Sequence, residues 1–276
     1  MISIAEDHAQ LWERADPLAV RLLSAVRPLF LGRRNEPPEA IGTCVLLRVG
    51  PARLLLTAAH VVDEFLGEDI LILGNGLLEG IRAQGVRIDP PKGKTREEDR
   101  IDVGILRVNS DHQLTIDGDF LTPASIGIDE PIRGSPTYLA LGYPVKKTVV
   151  DSVARRVAPW PVKYVGVRSS PLTYNRLRLH PSTHVVIDFD QRRTVTDEGI
   201  RAVMKPKGMS GGGVWWWRNA SLDNKYELPD ARLTAILIEH RRTERVFIAT
   251  RVFYHIAVIR KHWPDLVEHL AGFPSP

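Results

Sequence analysis

Short apolar runs separated by turn residues follow one another from residue 41 to residue 251. The runs are rich in Val, Ile, Leu and aromatic residues, and Gly, Pro, Asn or Asp bounds many of them. Examples are IGTCVLLRVG, RLLLTAAHVV, DVGILRV, PTYLALGYP, HVVIDFD, GGGVWWW and RLTAILIEH. This texture predicts a mainly β protein with antiparallel strands in a barrel or a sandwich, because βαβ units would place long helical patterns between the strands.

The two ends of the chain show helical spacing instead. Residues 4–27 carry an apolar stripe formed by Leu11, Leu18, Leu22, Leu23 and Val26. We expect Pro17 to break this helix into two pieces and Pro28 to end it, because proline removes a backbone donor and clashes with the preceding turn. The charged, Pro-containing stretch 33–40 predicts a linker. Helical spacing returns at the end of the chain, where residues 253–276 predict a closing helix.

Three short stretches carry candidate chemistry. His60 follows the apolar run LLLTAA, Asp102 opens the apolar strand DVGIL, and Ser210 lies among glycines in GMSGGG. A buried carboxylate needs a partner, and a serine hydroxyl needs a neighbouring base before it becomes a nucleophile. The developing oxyanion needs N–H donors, which the backbone amides of Gly208 and Ser210 would supply. We therefore take His60, Asp102 and Ser210 as candidate catalytic residues, with Gly208 and Ser210 as the candidate oxyanion hole.

The stretches TAAHVV, DVGIL and GMSGGGVW, in the order His, Asp, Ser, resemble the trypsin-like serine peptidases. Among these, the bacterial Deg/HtrA proteases resemble the chain most in their motifs. The resemblance implies two antiparallel six-stranded β-barrels of the chymotrypsin-like kind, with the active site in the cleft between them. It also implies a serine endopeptidase that cleaves proteins or peptides through an acyl-enzyme and needs neither a cofactor nor a metal ion.

This resemblance divides the chain into four parts. Residues 1–38 would form a helical extension and linker, and residues 39–134 the first β-barrel with His60 and Asp102. Residues 135–252 would form the second β-barrel with Ser210, and residues 253–276 a C-terminal helix.

The resemblance also implies a primary specificity pocket, lined about six residues before the serine and along the strand after it. The candidates for this pocket are Met204, Leu237, Ile238 and Glu239. We expect an apolar pocket, with a basic preference as the alternative if the Glu239 carboxylate points inward. Strict alternation along the strand would place Leu237 and Glu239 on one face and Ile238 and His240 on the other.

Departures from the family pattern bear on regulation. Met209 occupies the position of the aspartate that receives a newly cut N-terminus in the digestive branch, so zymogen cleavage of that kind is not expected. The chain has no room for the PDZ-type peptide-binding domain that follows many bacterial relatives. We expect gating by a regulatory protein partner, which the N-terminal helix would contact.

Composition restricts the other partners. The chain has 276 residues, of which 37 are basic and 33 acidic, and its net charge of +4 is scattered, so we expect no nucleic-acid partner. The single cysteine, Cys44, cannot form an intrachain disulfide, as is typical of a reducing compartment. With no signal-like N-terminus and no apolar run long enough for a transmembrane helix, we expect a cytoplasmic protein without membrane contact.

Two other classes fit part of the sequence. Residues 208–212 satisfy the G-x-S-x-G pattern of an α/β-hydrolase esterase, although that fold needs the order Ser, acid, His and a parallel sheet. A non-catalytic binding module or scaffold on the same barrels is the second alternative.

Overall fold

The computed structural model describes residues 4–33, 36–65, 68–74, 76–112, 114–115, 120–128, 130, 136–145, 149–151, 156–158, 160–189, 194–196, 199–201, 206–217 and 230–273. Two large antiparallel sheets, two small two-stranded hairpins and several helices are present in this part of the chain. The fold class predicted from the sequence is therefore confirmed.

The first sheet contains seven strands in the order β5-β4-β1-β2-β3-β7-β6. They are β1 (Val26–Gly32), β2 (Glu39–Val49), β3 (Ala52–Ala58), β4 (Asp69–Leu73), β5 (Leu78–Ile81), β6 (Ala83–Arg87) and β7 (Val103–Val108). All residues of β3 are buried, because alternate side chains enter two different cores. Leu54 and Leu56 join the core between the two sheets, whereas Leu55 packs with Leu46 and Leu106 in a second core.

The second sheet contains six strands in the order β11-β8-β15-β16-β17-β12. They are β8 (Thr137–Gly142), β11 (Val162–Val167), β12 (His184–Asp188), β15 (Gly213–Trp217), β16 (Ala231–Arg241) and β17 (Val246–Arg251). An isolated bridge between Arg168 and Ile187 links the two edges, so this sheet curls on itself. Two small hairpins stand apart from it, formed by β9 (Val149–Asp151) with β10 (Arg156–Ala158) and by β13 (Thr194–Thr196) with β14 (Gly199–Arg201).

The N-terminal helix α1 (Ile4–Leu23) is continuous, so the predicted break at Pro17 is wrong. Its residues Leu18, Ala19 and Leu22 are buried in the core between the sheets, and this burial offsets the hydrogen bond that proline removes. This part of the apolar stripe thus packs on the body of the protein itself.

The predicted extent of the helical extension and linker, residues 1–38, is also wrong, because it contains β1. β1 lies between β2 and β4 and makes the first sheet seven-stranded rather than six-stranded. Pro28 is tolerated because it pairs with β2 only, outside the stretch that β4 covers. Leu29 and Phe30 are fully buried, and this burial makes the segment a strand.

At the other end, α4 (Val252–His262) is shorter than the predicted helix 253–276. Pro264 follows it and disfavours helical backbone in the residue before it, so the chain continues in two short 3₁₀ turns, Pro264–Leu266 and Glu268–Leu270. Two shorter helices, α2 (Ala59–Asp63) and α3 (Pro171–Leu177), complete the set. Within the described ranges, no helix combines the length and the apolar character that crossing a membrane requires.

A buried ionic cluster ties the segment between the sheets to the second sheet. The carboxylate of Glu130 is fully buried and accepts hydrogen bonds from Tyr138, Arg168, Thr234 and Arg251. Thr234 Oγ1 donates at 3.0 Å and Arg251 at 2.9 Å. Because the buried charge has several donors, its desolvation is compensated.

Candidate active site

His60 lies where β3 passes directly into α2. Ala58, the last residue of β3, has extended backbone with φ −86° and ψ 151°, and Ala59 begins the helix. Both alanines are fully buried, whereas the His60 side chain is 39% exposed. The change from strand to helix turns successive side chains by about 100° per residue. It therefore carries His60 out of the core while the alanines fill the space behind it.

Asp102 lies immediately before β7 and holds His60 by two hydrogen bonds. Its Oδ2 lies 2.6 Å from Nδ1 of His60, and its Oδ1 accepts the backbone N–H of His60 at 2.9 Å. The Asp102 carbonyl oxygen accepts the N–H of Ala59 at 3.0 Å. Because a carboxylate can only accept, Nδ1 of His60 donates the hydrogen bond, and Nε2 of the neutral imidazole is then an acceptor.

The backbone of Asp102 is strained. Its φ of 45° lies in the left-handed region, which costs a residue other than glycine about 1–3 kcal/mol. The three hydrogen bonds to α2 offset this cost and hold the buried carboxylate against His60. Such strain accompanies residues whose placement the surrounding structure imposes.

Ser210 lies in a tight loop of residues 206–213, called the serine loop below. Gly208 and Gly211 have φ angles of 98° and 87°, a region that favours glycine. The N–H of Gly211 donates to the carbonyl oxygen of Leu237 at 2.7 Å, and the N–H of Leu237 donates back to the loop at 2.7 Å. The loop is thereby fastened to β16.

The two amides proposed for the oxyanion hole are the N–H groups of Gly208 and Ser210. Among the hydrogen bonds of the described residues, none has the N–H of Gly208 or of Ser210 as its donor. The carbonyl oxygen of Lys207 accepts the N–H of Val145 at 2.9 Å. Because the C=O and N–H of one peptide point in opposite directions, the Gly208 N–H points away from Val145. Within the described ranges, neither amide has a hydrogen-bond acceptor.

The hydroxyl of Ser210 is hydrogen-bonded to the backbone of β16. Ser210 Oγ donates to the carbonyl oxygen of Ile238 at 3.2 Å, and no hydrogen bond among the described residues joins it to His60. The two residues nevertheless border one junction. A Cβ on Gly42 would lie 2.8 Å from Val61, the neighbour of His60, and 3.2 Å from the carbonyl oxygen of Ser210. The structure therefore joins His60 to Asp102 directly, and it brings Ser210 and Val61, the residue after His60, to the same glycine, Gly42.

A fourth residue, Thr43 of β2, was missed from the sequence. It is fully buried, and its N–H donates to the carbonyl oxygen of Ser210 at 2.8 Å. Its hydroxyl donates to the carbonyl oxygen of Gly208 at 3.1 Å. Thr43 could have been found from the sequence, because it carries a hydroxyl within the apolar strand IGTCVLL and a buried hydroxyl needs a hydrogen-bond partner.

His255 of α4 lies behind β3 and was also missed. Its Nε2 lies 3.0 Å from the carbonyl oxygen of Thr57, and Nδ1 has no hydrogen-bond partner among the described residues. Burial lowers the pKa of the imidazole to about 4, although the bond to Thr57 and the charge of Asp102 both act to raise it. His255 is therefore neutral at neutral pH.

The predicted specificity residues do not form one pocket wall. Met204 lies outside the described residues. Leu237 is only 2% exposed and packs in the core of the second sheet with Met209 and Phe247. Ile238 is buried in a different core, so its backbone carbonyl, rather than its side chain, faces Ser210.

The strict alternation expected along β16 is wrong, because the strand bulges at Ile238. Leu237 pairs with Ala249 and Glu239 pairs with Ile248, so Ile238 is the extra residue. Glu239 is consequently exposed and forms an ion pair with Arg241 at 2.9 Å, instead of sharing a face with Leu237.

Both sheets exclude the α/β-hydrolase alternative. Every pair of named strands in the described part of the chain is antiparallel, whereas that fold is built on a parallel sheet. The esterase interpretation of residues 208–212 is therefore wrong.

Solved structures with a similar fold include proteases. Neuropsin, a serine protease expressed in the limbic system of mouse brain, has 16% sequence identity and a TM-score of 0.56, and the match covers 87% of this chain and 95% of neuropsin. Human heparin binding protein has 12% identity and a TM-score of 0.54, with 93% of this chain and 95% of that protein covered. No protein-family model and no curated protein sequence matches the chain. At these identities the likeness is one of fold, and the chain has the chymotrypsin-like fold of two curled antiparallel sheets.

Proposed function

We propose that the protein is a trypsin-like serine endopeptidase that cleaves proteins or peptides through an acyl-enzyme. The observation that carries the proposal is the 2.6 Å contact between Nδ1 of His60 and the buried carboxylate of Asp102. The serine loop supports it, because the N–H groups of Gly208 and Ser210 donate no hydrogen bond to any described residue. A structural histidine would have no need of a strained, desolvated aspartate that fixes its tautomer.

Each residue takes one role in the reaction. Ser210 Oγ attacks the scissile carbonyl carbon while Nε2 of His60 accepts its proton, and His60 then gives that proton to the leaving amine. Asp102 stabilises the imidazolium that forms in between. The amides of Gly208 and Ser210 donate to the oxyanion, and water, activated by His60, hydrolyses the acyl-enzyme.

The resting contact of Ser210 with Ile238 must break before this reaction begins. Rotation about the serine Cα–Cβ bond moves the hydroxyl without moving the backbone, and we propose that such a rotation brings Oγ to Nε2 of His60. We infer that bound substrate, or a regulatory partner that contacts the outer face of α1, provides this alignment.

The preference at the cleaved bond is proposed to be apolar. Glu239 is exposed and forms an ion pair with Arg241, which argues against Glu239 as the pocket carboxylate that would bind a basic substrate side chain. Cleavage of a peptide library tests this. Strict cleavage after Arg or Lys that Glu239→Gln abolishes would contradict it.

The function is tested with a fluorophosphonate probe, which phosphonylates only an activated serine. We expect the wild-type protein to be labelled and Ser210→Ala to be unlabelled, with peptide hydrolysis lower by roughly 10⁴-fold or more. Ser182→Ala, which removes an exposed serine hydroxyl elsewhere, is the matched control and should label as wild type. Labelling with and without cell extract detects a requirement for a partner.

A non-catalytic binding module is the second candidate, because Ser210 donates to Ile238 rather than to His60. The same experiment separates the two. Wild-type protein that stays unlabelled in buffer and in cell extract, and that hydrolyses neither peptide nor ester, would favour the binding module.

A further inference from the structure

Thr43 connects the first sheet to both sides of the serine loop. Its N–H donates to the carbonyl oxygen of Ser210 at 2.8 Å. Its hydroxyl donates to the carbonyl oxygen of Gly208 at 3.1 Å and accepts the N–H of Tyr143 at 3.0 Å. Its carbonyl oxygen accepts the hydroxyl of Thr57 at 2.8 Å. Every polar atom of this buried residue is therefore used at the junction between the two sheets.

Two hydrogen bonds hold the peptide groups on the two sides of Gly208. The N–H of Val145 donates to the carbonyl oxygen of Lys207 and so holds the peptide group before Gly208. The peptide after it is held by the Thr43 hydroxyl, which binds the Gly208 carbonyl oxygen. The same hydroxyl binds Tyr143, two residues before Val145, so one oxygen atom couples the two supports.

The serine loop also packs directly on Thr43. A Cβ on Gly211 would collide with the carbonyl oxygen of Thr43 and with the hydroxyl of Thr57. Because the contact is between backbone and backbone, little space remains for the loop to shift while Thr43 keeps its place.

We propose that Thr43 is a positioning residue for acyl transfer, whose side-chain hydroxyl holds the serine loop so that the amides of Gly208 and Ser210 face the oxyanion. This inference rests on the proposed function of the same site. The hydrogen bonds of the Thr43 hydroxyl to described residues go to the Gly208 carbonyl oxygen and the Tyr143 N–H, so it acts through the Gly208 peptide. A misplacement of catalytic groups by about 1 Å lowers turnover by roughly 100-fold, so a single buried bond suffices for a large kinetic effect.

Three variants isolate the hydroxyl. Thr43→Val keeps the shape of the side chain but leaves the Gly208 carbonyl oxygen and the Tyr143 N–H unpaired, whereas Thr43→Ser retains the hydroxyl. Thr234→Val is the matched control, because Thr234 is equally buried and its hydroxyl donates to Glu130 instead of the serine loop. The unfolding midpoint of each variant, measured in urea, records the general loss of stability.

The kinetic readouts are the rate of fluorophosphonate labelling and, on a peptide substrate, kcat and KM separately. We expect Thr43→Val to lower the labelling rate and kcat by roughly 10–100-fold with little change in KM, because the amides act on the transition state. Thr43→Ser should retain most of both rates. Equal kinetic losses in Thr43→Val and Thr234→Val would overturn the proposal in favour of general destabilisation.

Hydrogen–deuterium exchange of the peptide that spans residues 206–213 tests the positioning without any activity. We expect faster exchange there in Thr43→Val than in wild type, Thr43→Ser or Thr234→Val. Unchanged exchange in Thr43→Val overturns the proposal. If the wild-type protein is never labelled but the exchange contrast appears, the proposed function fails while the support of the loop by Thr43 stands.

Discussion

The buried imidazole of His255 gives the protein a stability that depends on pH. Burial lowers its pKa from the ordinary 6.5 to about 4, so the unfolded chain binds a proton in this interval that the folded chain does not. Stability from this residue is therefore complete above pH 6.5 and is lost as the pH falls toward 4. Burial also lowers the pKa values of His184 and His240, which act in the same direction.

The size of the effect follows from this interval. One pKa unit corresponds to about 1.4 kcal/mol, so the full interval corresponds to about 3 kcal/mol. Most of this loss, about 2 kcal/mol, falls between about pH 7 and about pH 5. This is a large fraction of the stability of a typical domain.

The assay compares the wild-type protein with His255→Gln, whose amide can still donate to the carbonyl oxygen of Thr57 but does not titrate. Urea unfolding followed by tryptophan fluorescence gives the free energy of unfolding at both pH values. We expect the wild type to lose about 2 kcal/mol more than the variant between about pH 7 and about pH 5. Equal losses in the two proteins would refute the reasoning, and His180→Gln controls for replacing an exposed histidine.

Two further predictions concern the candidate site. Asp102→Asn should lower the fluorophosphonate labelling rate by about 10⁴-fold, because the amide nitrogen would donate to Nδ1 of His60 and favour the wrong tautomer. Full labelling of a folded Asn variant would remove Asp102 from the catalytic set. Gly211→Ala should cost about 3 kcal/mol or more in urea unfolding, because its Cβ would collide with the Thr43 carbonyl oxygen in addition to the left-handed strain. Gly93→Ala, with a positive φ but open space, isolates the strain alone, and an equal cost in both variants would contradict this account.

The parts of the candidate site with strong local signals were predictable from the sequence. His60 follows small buried residues at the end of an apolar strand, and Asp102 would be costly to bury without a partner. Glycines on both sides of Ser210 indicated a tight turn. The fold class could be predicted from the spacing of apolar runs and turn residues, because the apolar pattern of each strand is visible in its own short stretch of sequence.

Features that depend on long-range packing were not predictable in the same way. Pro17 and Pro28 gave the usual breaker signals, yet α1 continues and β1 forms, because burial of their apolar neighbours outweighs the local cost. After the bulge at Ile238, the side chains of β16 alternate between its two faces in the opposite register. The residue types around Ile238 do not indicate that an extra residue is inserted there. One inserted residue was enough to move Glu239 from the predicted pocket wall to the surface.

Thr43 shows why a site of this kind extends beyond its reacting groups. His60 and Asp102 adjoin β3 and β7 of the first sheet, and Ser210 precedes β15 of the second, so their relative placement depends on the junction between the sheets. Apolar packing holds sheets together without fixing their register, because it has no direction. Hydrogen bonds do fix direction, and the backbone and hydroxyl of Thr43 supply them at this junction. A buried polar residue in an apolar strand is therefore as informative as the candidate catalytic motifs, because its hydrogen bonds mark a point where the two sheets are held in one arrangement.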